Sequence, residues 1–356
     1  MDKKTWTKLA IILWLFILSV TGLVVIIVDP YHHYHKPLSC FTYSSADAVY
    51  VNDGKCKNFD YDAIITGTSM TSGFSEKEAS DLFQMTFLRA TFLGEGFKRI
   101  NENLETAIEH NPDLRLVIRS VDPLWFITDL NWMAYDNYPL YLYNDSIMDD
   151  VKYLYNIDIW MDSMIPTLIT YKKSGREPRE TYTQLEHNQK EYLEKEIALD
   201  NYERPIKENN DIDAADFEEY LSCIDQNLDV NLLNVIENHP DIEFYLYFPP
   251  YSILWWDSIN QAGEGRVERR VYMEQYVIEK ILKYDNVRLF SFTNNYDLIC
   301  NLDNYSDEIH YHPDINSKIL KWMKSGEYEI TEDNYLRYIS EISNYLVNYD
   351  YDAIFK

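Results

Sequence analysis

The sequence predicts an α/β protein of three layers (helices, a mainly parallel sheet, helices) preceded by one N-terminal transmembrane helix. Short apolar runs alternate with amphipathic stretches along most of the chain, the pattern of a parallel sheet covered on both faces. Leu9 to Val28 carries no charge over twenty residues. The first apolar run, Ala63-Ile64-Ile65, ends in a glycine and two hydroxyl residues, as a buried strand does when its following turn presents a side chain at its carboxyl end.

The elements follow in order. Leu9–Val28 is long enough to cross the ~30 Å hydrocarbon core of a bilayer as a helix. Lys3, Lys4 and Lys8 precede it, and Asp29 and Pro30 follow. The positive-inside rule then keeps residues 1–8 in the cytoplasm as a short tail and puts everything after Asp29 outside a cell membrane. The stretch is long for a signal-peptide core and no small-x-small site closes it, so an uncleaved single-pass anchor is expected.

Residues 29–60 read as an extracytoplasmic linker. Its Tyr31-His32-His33-Tyr34-His35-Lys36-Pro37 segment suits the membrane interface, where an apolar body meets a polar rim. No familiar ligand spacing is completed there, so no metal is expected. A metal site on the three clustered imidazoles and a docking segment for a membrane partner are the other readings. Four cysteines form an even set, and an oxidising exterior permits disulfides. Cys40 and Cys56 flank a hydrophilic loop with the turn signal Asn52-Asp53-Gly54, and a bridge closing that loop of about 15 residues would add ~3 kcal/mol. Cys223 and Cys300 are left as either a second pair or two buried thiols.

The main domain is expected over 61–330. Strands are predicted at Ala63–Thr66, Leu114–Ser120, Ile242–Phe248 and Val287–Phe292, each short, apolar and bounded by polar or turn residues. Helices are predicted at Glu76–Phe83, Phe97–Glu109, Phe217–Glu237 and Arg266–Tyr284, where apolar residues recur three or four apart. Residues 129–210, rich in Tyr, Asp and Asn, break the rhythm as an insertion, and Lys172 to Pro178 is a break within it. Residues 331–356 read as a C-terminal helical extension.

The chemistry lies in two distant places. Ser69 stands in Gly67-Thr68-Ser69-Met70, and Asp307-Glu308-Ile309-His310-Tyr311 lies near the last helix. Neutral serine is a poor nucleophile, so it needs an imidazole within hydrogen-bond reach and a carboxylate that orients that imidazole. Asp307 and His310, three apart, can present both side chains from one short turn. His312 and Asp303 are the rivals. His312 reads as a rim residue, and Asp303 sits seven residues from His310.

At these residues the chain resembles the SGNH (GDSL-like) hydrolase superfamily, whose first block carries the serine and whose last carries Asp-x-x-His. The likeness runs through Tyr61 to Met70, Phe248-Pro249-Pro250-Tyr251-Ser252 and Asp307 to Tyr311. It is nearest to the membrane-anchored bacterial members encoded with cell-surface polymer genes, the D-alanyl-lipoteichoic acid biosynthesis-like branch. The resemblance implies an SGNH-like, flavodoxin-type sheet, catalysis by Ser69, His310 and Asp307, and no cofactor. It also implies an oxyanion hole from the amides of Ser69 and Gly94, Gly96 being the alternative to Gly94. The family's third donor, an Asn side chain, has no counterpart, since Arg119-Ser120-Val121-Asp122 stands there, and losing a donor can cost about 3 kcal/mol of transition-state stabilisation.

Pro249-Pro250 stops the strand before it, because neither residue donates an amide hydrogen. In the resembling family the loop that follows lies beside the serine. Tyr251, Trp255 and Tyr311 are therefore read as substrate-binding, against simple packing. A net charge of -27 repels nucleic acid and anionic headgroups, which excludes a nucleic-acid role but names no substrate. The leading expectation is a membrane-anchored extracytoplasmic serine esterase or O-acyltransferase acting on a cell-surface polymer, beside a membrane-bound O-acyltransferase. The alternative is a catalytically silent docking module for such a membrane enzyme.

Overall fold

A computed structural model describes residues 2–43, 48–134, 138–170, 194–208 and 214–356. The chain divides into two compact units, Met1–Phe59 with Tyr135–Leu185, and Asp60–Ala134 with Glu186–Lys356. Residues 129–134 and 194–208 of the predicted insertion thus belong with the sheet, and 138–170 belong with the N-terminal segment. The Lys172 to Pro178 break lies outside the described residues.

The second unit holds a six-stranded sheet: β1 Ala63–Gly67, β2 Phe87–Thr91, β3 Leu116–Ser120, β4 Glu243–Phe248, β5 Val287–Ser291 and β6 Glu329–Ile330. Its order is β2-β1-β3-β4-β5-β6, parallel except where β6 pairs antiparallel with β5. All four predicted strands are present. The sequence reading missed β2, because Arg89 interrupts Phe87-Leu-Arg-Ala-Thr. The fold absorbs that cation by turning its guanidinium onto the Phe74 carbonyl at 2.7 Å. β1, β2 and β3 are buried along their whole length, so both faces are covered.

The order 2-1-3-4-5 is doubly wound. Its ligand crevice opens outside the carboxyl ends of β1 and β3, where successive connections leave in opposite directions. Two turns meet there: Thr68-Ser69 after β1 and Val121-Asp122 after β3.

The helices around the sheet follow the predicted positions closely. Ser75 caps Glu76–Phe83, its hydroxyl accepting from the Glu78 amide at 3.2 Å. The predicted Phe217–Glu237 helix is Ala214–Leu228, a π-helical turn Asp229–Leu233, then Asn234–Asn238. The C-terminal stretch is helical over Tyr335–Val347, as expected, yet it is integral to the sheet unit. Tyr338, buried, shares a 2.6 Å hydrogen bond with Ser291 at the end of β5.

In the first unit, α1 runs Lys3–Val28, an apolar helix long enough to cross a membrane. Asp29 closes it in the left-handed conformation, at φ 46°. The Asp29 carboxylate then collects the amides of His33, Tyr34 and His35 at 3.0, 2.8 and 2.9 Å and the Tyr153 hydroxyl at 2.8 Å. The three imidazoles diverge. His33 reaches Asp150 at 3.2 Å, His35 reaches the Ile26 carbonyl at 2.9 Å, and burial drives the His32 pKa down to about 3.

The predicted linker loop is in fact a helix, Ala48–Asn58, which carries Asn52-Asp53-Gly54 in its interior. Gly54 serves close approach there rather than a turn, since a Cβ would lie 2.5 Å from the Tyr31 carbonyl oxygen and 2.4 Å from that of His32. This helix also overturns the Cys40–Cys56 bridge. It turns Cys56 into the interior while Cys40 stays exposed as a free thiol, and the two are not joined. Cys223 and Cys300 are free thiols, the latter 3.3 Å from the Tyr345 hydroxyl.

Candidate active site

The serine turn is shaped by what cannot be there. Gly67, the last residue of β1, has φ 150°, and a Cβ on it would stand 2.2 Å from the Ser120 Oγ and 2.7 Å from the Thr71 Cγ2. The chain then tightens into a 3-10 turn, Ser69–Thr71, capped by the Thr68 hydroxyl accepting from the Met70 amide at 3.3 Å. This turn leaves Ser69 half-buried, with its side chain free to meet a partner.

That partner is His310. Ser69 Oγ and His310 Nε2 are 2.8 Å apart, and His310 Nδ1 and Asp307 Oδ2 are 2.7 Å apart. The carboxylate can only accept, so a neutral His310 carries its proton on Nδ1 and leaves Nε2 to accept from the serine hydroxyl. The other Asp307 oxygen accepts from the backbone amides of Ile309 and His310 at 2.8 and 2.7 Å.

Burial opposes the charge on Asp307, but the hydrogen bond and charge of His310 and those two amides outweigh it and hold the carboxyl below its ordinary value. Burial likewise opposes a charged His310. The hydrogen bond from Asp307, its charge, and the charges of Asp122 and Glu308 raise the ring's pKa nonetheless.

The loop that carries the pair is clamped from three sides. Tyr305 and Tyr311 form an isolated antiparallel bridge, and the Ser306 amide donates to the His310 carbonyl at 3.0 Å. Ser252 donates to the Glu308 carbonyl from its amide at 3.1 Å and from its hydroxyl at 2.8 Å, while the Tyr305 hydroxyl holds the Pro250 carbonyl at 2.7 Å. The Met70 carbonyl accepts from the Asn316 side chain at 2.9 Å and the Tyr311 hydroxyl at 3.3 Å, joining the histidine loop to the serine turn.

The rivals are accounted for. His312 caps the helix Pro313–Ser325, its Nδ1 accepting from the Asp314 amide at 3.0 Å. Asp303 accepts from the Lys195 amide at 3.0 Å instead of approaching His310.

The predicted substrate-binding aromatics turn inward. Tyr251, Trp255 and Tyr311 are 3%, 5% and 8% exposed. The Tyr251 hydroxyl donates to Asp122 at 2.8 Å, and Trp255 packs edge-on against Tyr251 and Trp256. Tyr251 lies just past the end of β4, Trp255 in the helix Ile253–Gln261 and Tyr311 next to His310, and all three rings are packed inside. The apolar surface at this edge comes instead from the loops after β2 and β3. Leu93 and Leu124 are 51% and 40% exposed, and Trp125 stacks on Trp132 at 4.6 Å. The signal for it was the apolar run Pro123 to Ile127 just past a strand end.

The two backbone donors that the resemblance implies stand open. The amide of Ser69, first in its turn, donates to no protein acceptor, and neither does the amide of exposed Gly94, at φ 67°. Asp122, just past β3, is fully buried. Its oxygens accept from the Ser120 hydroxyl at 2.6 Å and the Tyr251 hydroxyl at 2.8 Å. Burial raises its pKa, against the hydrogen bonds of Ser120, Tyr251 and Thr68 and the nearby charge of His310. The segment Arg119 to Asp122, read from the sequence only for lacking an Asn, holds in Asp122 the acceptor of the Ser120 and Tyr251 hydroxyls.

No family model, curated protein or solved structure matches this chain in the comparisons with known proteins. The functional reading therefore rests on residues and geometry.

Proposed function

We propose that this chain is a membrane-anchored, extracytoplasmic serine esterase or O-acyltransferase of SGNH type that modifies a cell-envelope polysaccharide or teichoic-acid-type polymer. One observation carries the reading: an unbroken hydrogen-bond chain from Ser69 Oγ through both His310 nitrogens to Asp307, joining residues 241 apart in sequence at 2.8 Å. Ser69 Oγ attacks an ester carbonyl while His310 Nε2 takes its proton. The amides of Ser69 and Gly94 hold the oxyanion. His310 then returns the proton to the departing alkoxide as the ester C–O bond breaks, leaving acyl-Ser69. Water or a polymer hydroxyl, deprotonated by the same Nε2, then bonds to the acyl carbon, and the bond from that carbon to Ser69 Oγ breaks as His310 returns the proton to the serine.

The exposed Leu93 and Leu124 beside the Trp125–Trp132 stack support a partly apolar acyl donor. On this reading α1 is the anchor, the lysines before it stay in the cytoplasm, and a membrane-bound O-acyltransferase is the partner.

The missing third-block Asn, with Arg119 to Asp122 standing there instead, favours one second reading, a catalytically silent partner. Incubating the full chain with a fluorophosphonate separates the two. Wild type should be labelled and Ser69→Ala should not. Absent labelling of wild type, or equal labelling of both, overturns the enzyme.

A further inference from the structure

After Asp150 the first unit continues as three short helical pieces, Val151–Leu154, Ile157–Ile159 with the π-helical turn Trp160–Met164, and Ile165–Thr170. One side of them is core: Tyr153, Ile159 and Met164 are buried beside Val25 and Val28 of α1. The other side is apolar and exposed. Ile157, Met161, Ile165, Leu168 and Ile169 are 68%, 57%, 38%, 39% and 69% exposed. Their spacing of four, four, three and one sets them on one helical face. Such a contiguous apolar surface marks an interaction site.

We propose that this face lies in the acyl chains of the leaflet at the C-terminal end of α1, as a second membrane contact beside the span. The proposal rests on the reading of α1 as membrane-spanning and adds to it.

The depth follows from α1 itself. The Tyr155 hydroxyl donates to the Leu18 carbonyl at 3.2 Å, and Gly22 admits the ring, its missing Cβ standing 3.0 Å from that hydroxyl. Leu18 and Gly22 precede Val28 by ten and six residues, ~15 and ~9 Å along the axis. A ~30 Å core takes about 20 helical residues, the whole of Leu9–Val28, and Lys8 blocks any shift toward the amino terminus. Were the bilayer to begin below Gly22, Leu9–Thr21 would span only ~20 Å. Tyr155 therefore sits within the core, and the helical pieces attached to it lie at membrane depth.

Lipid fits the face better than protein does, because α1's own outer side chains, Leu23 at 55% and Ile27 at 48% exposed, belong to the same apolar exterior.

The test uses the full chain in phosphatidylcholine vesicles doped with a phosphatidylcholine bearing a diazirine on its acyl chain. Adducts are mapped by mass spectrometry after irradiation. They are expected on α1 and on the peptide spanning Ile157 to Ile169. The double substitution Met161→Glu with Ile165→Glu should cut the second set several-fold and leave the first unchanged. Adducts on α1 alone, the outcome if protein covers the stripe, overturn the proposal and keep the span. Adducts on neither remove the span reading and the proposal with it.

Discussion

The side-chain amide of Asn316 holds the carbonyl oxygen of Met70 at 2.9 Å, and Gly73 is bare because a Cβ there would stand 2.1 Å from Asn316 Oδ1. Serine turn and histidine-side helix are thereby seated on one another. Asn316→Ala leaves the Met70 carbonyl with the Tyr311 hydroxyl alone of its two donors and should cost about 1 kcal/mol of stability. A displacement of ~1 Å at the nucleophile should also slow Ser69 labelling on the order of a hundredfold. Labelling rate and urea unfolding read the two effects separately, and an unchanged labelling rate would contradict the seating role.

Gly67→Ala should be among the most damaging single-methyl additions in the chain. The new Cβ meets the Ser120 Oγ at 2.2 Å in a backbone conformation that L-residues avoid. Overpacking of this kind costs about 1–3 kcal/mol, and the strain adds to it. Ser120→Gly removes the Ser120 contact but leaves the Thr71 Cγ2 at 2.7 Å and the backbone strain, so the pair Gly67→Ala with Ser120→Gly should recover only part of the loss in thermal unfolding.

The pH dependence of Ser69 acylation should follow His310. The neutral ring is the base, and its pKa is raised, so the rate should climb with pH through a midpoint above 6.5 and then level off. Asp307→Asn removes the hydrogen bond and charge that raise it. The midpoint should move down while the plateau falls by about four orders of magnitude. A midpoint that stays put after the substitution would show that another group titrates.

Asp122 predicts a stability effect of opposite sign to that of an ion-paired carboxylate. Its folded pKa is raised by burial, so the fold loses stability as pH rises from the ordinary carboxyl range near ~3.9 through the raised value. Asp122→Asn cannot ionise. Its melting temperature relative to wild type should improve from about pH 4 toward pH 7, and a difference that is flat with pH would refute the assignment.

Cys40 should alkylate readily in the folded protein, being an exposed free thiol. Dithiothreitol should leave the melting temperature of the chain unchanged. A drop on reduction equivalent to ~3 kcal/mol would indicate a bridge closing the Cys40–Cys56 loop.

Four strands were legible because each is a short apolar run between polar residues, and Ser69 with Asp307 and His310 was legible because strand order and chemistry agree. β2 was not, since a charged residue in its centre looks like a loop until its guanidinium is seen folded onto the Phe74 carbonyl. Asn52-Asp53-Gly54 misled in the opposite way. Local preference says turn, but the need to admit two carbonyl oxygens placed the glycine within a helix. Tyr251 was placed at the right strand end and given the wrong neighbour, because sequence cannot say that a buried Asp122 would claim its hydroxyl. The exposed stripe from Ile157 to Ile169 has helical spacing in the sequence, yet nothing there shows that its opposite side packs with α1.

The Asp29 knot has a mechanical consequence. A helix that ends in a loose tether leaves its cargo free to spin, but here one carboxylate fastens three successive amides and a tyrosine hydroxyl at the last turn of α1. Torque on the helix is passed on without slack, so α1 and the first unit rotate as one body about the helix axis. A protein that gripped one side of α1 would thereby fix the heading of that whole unit.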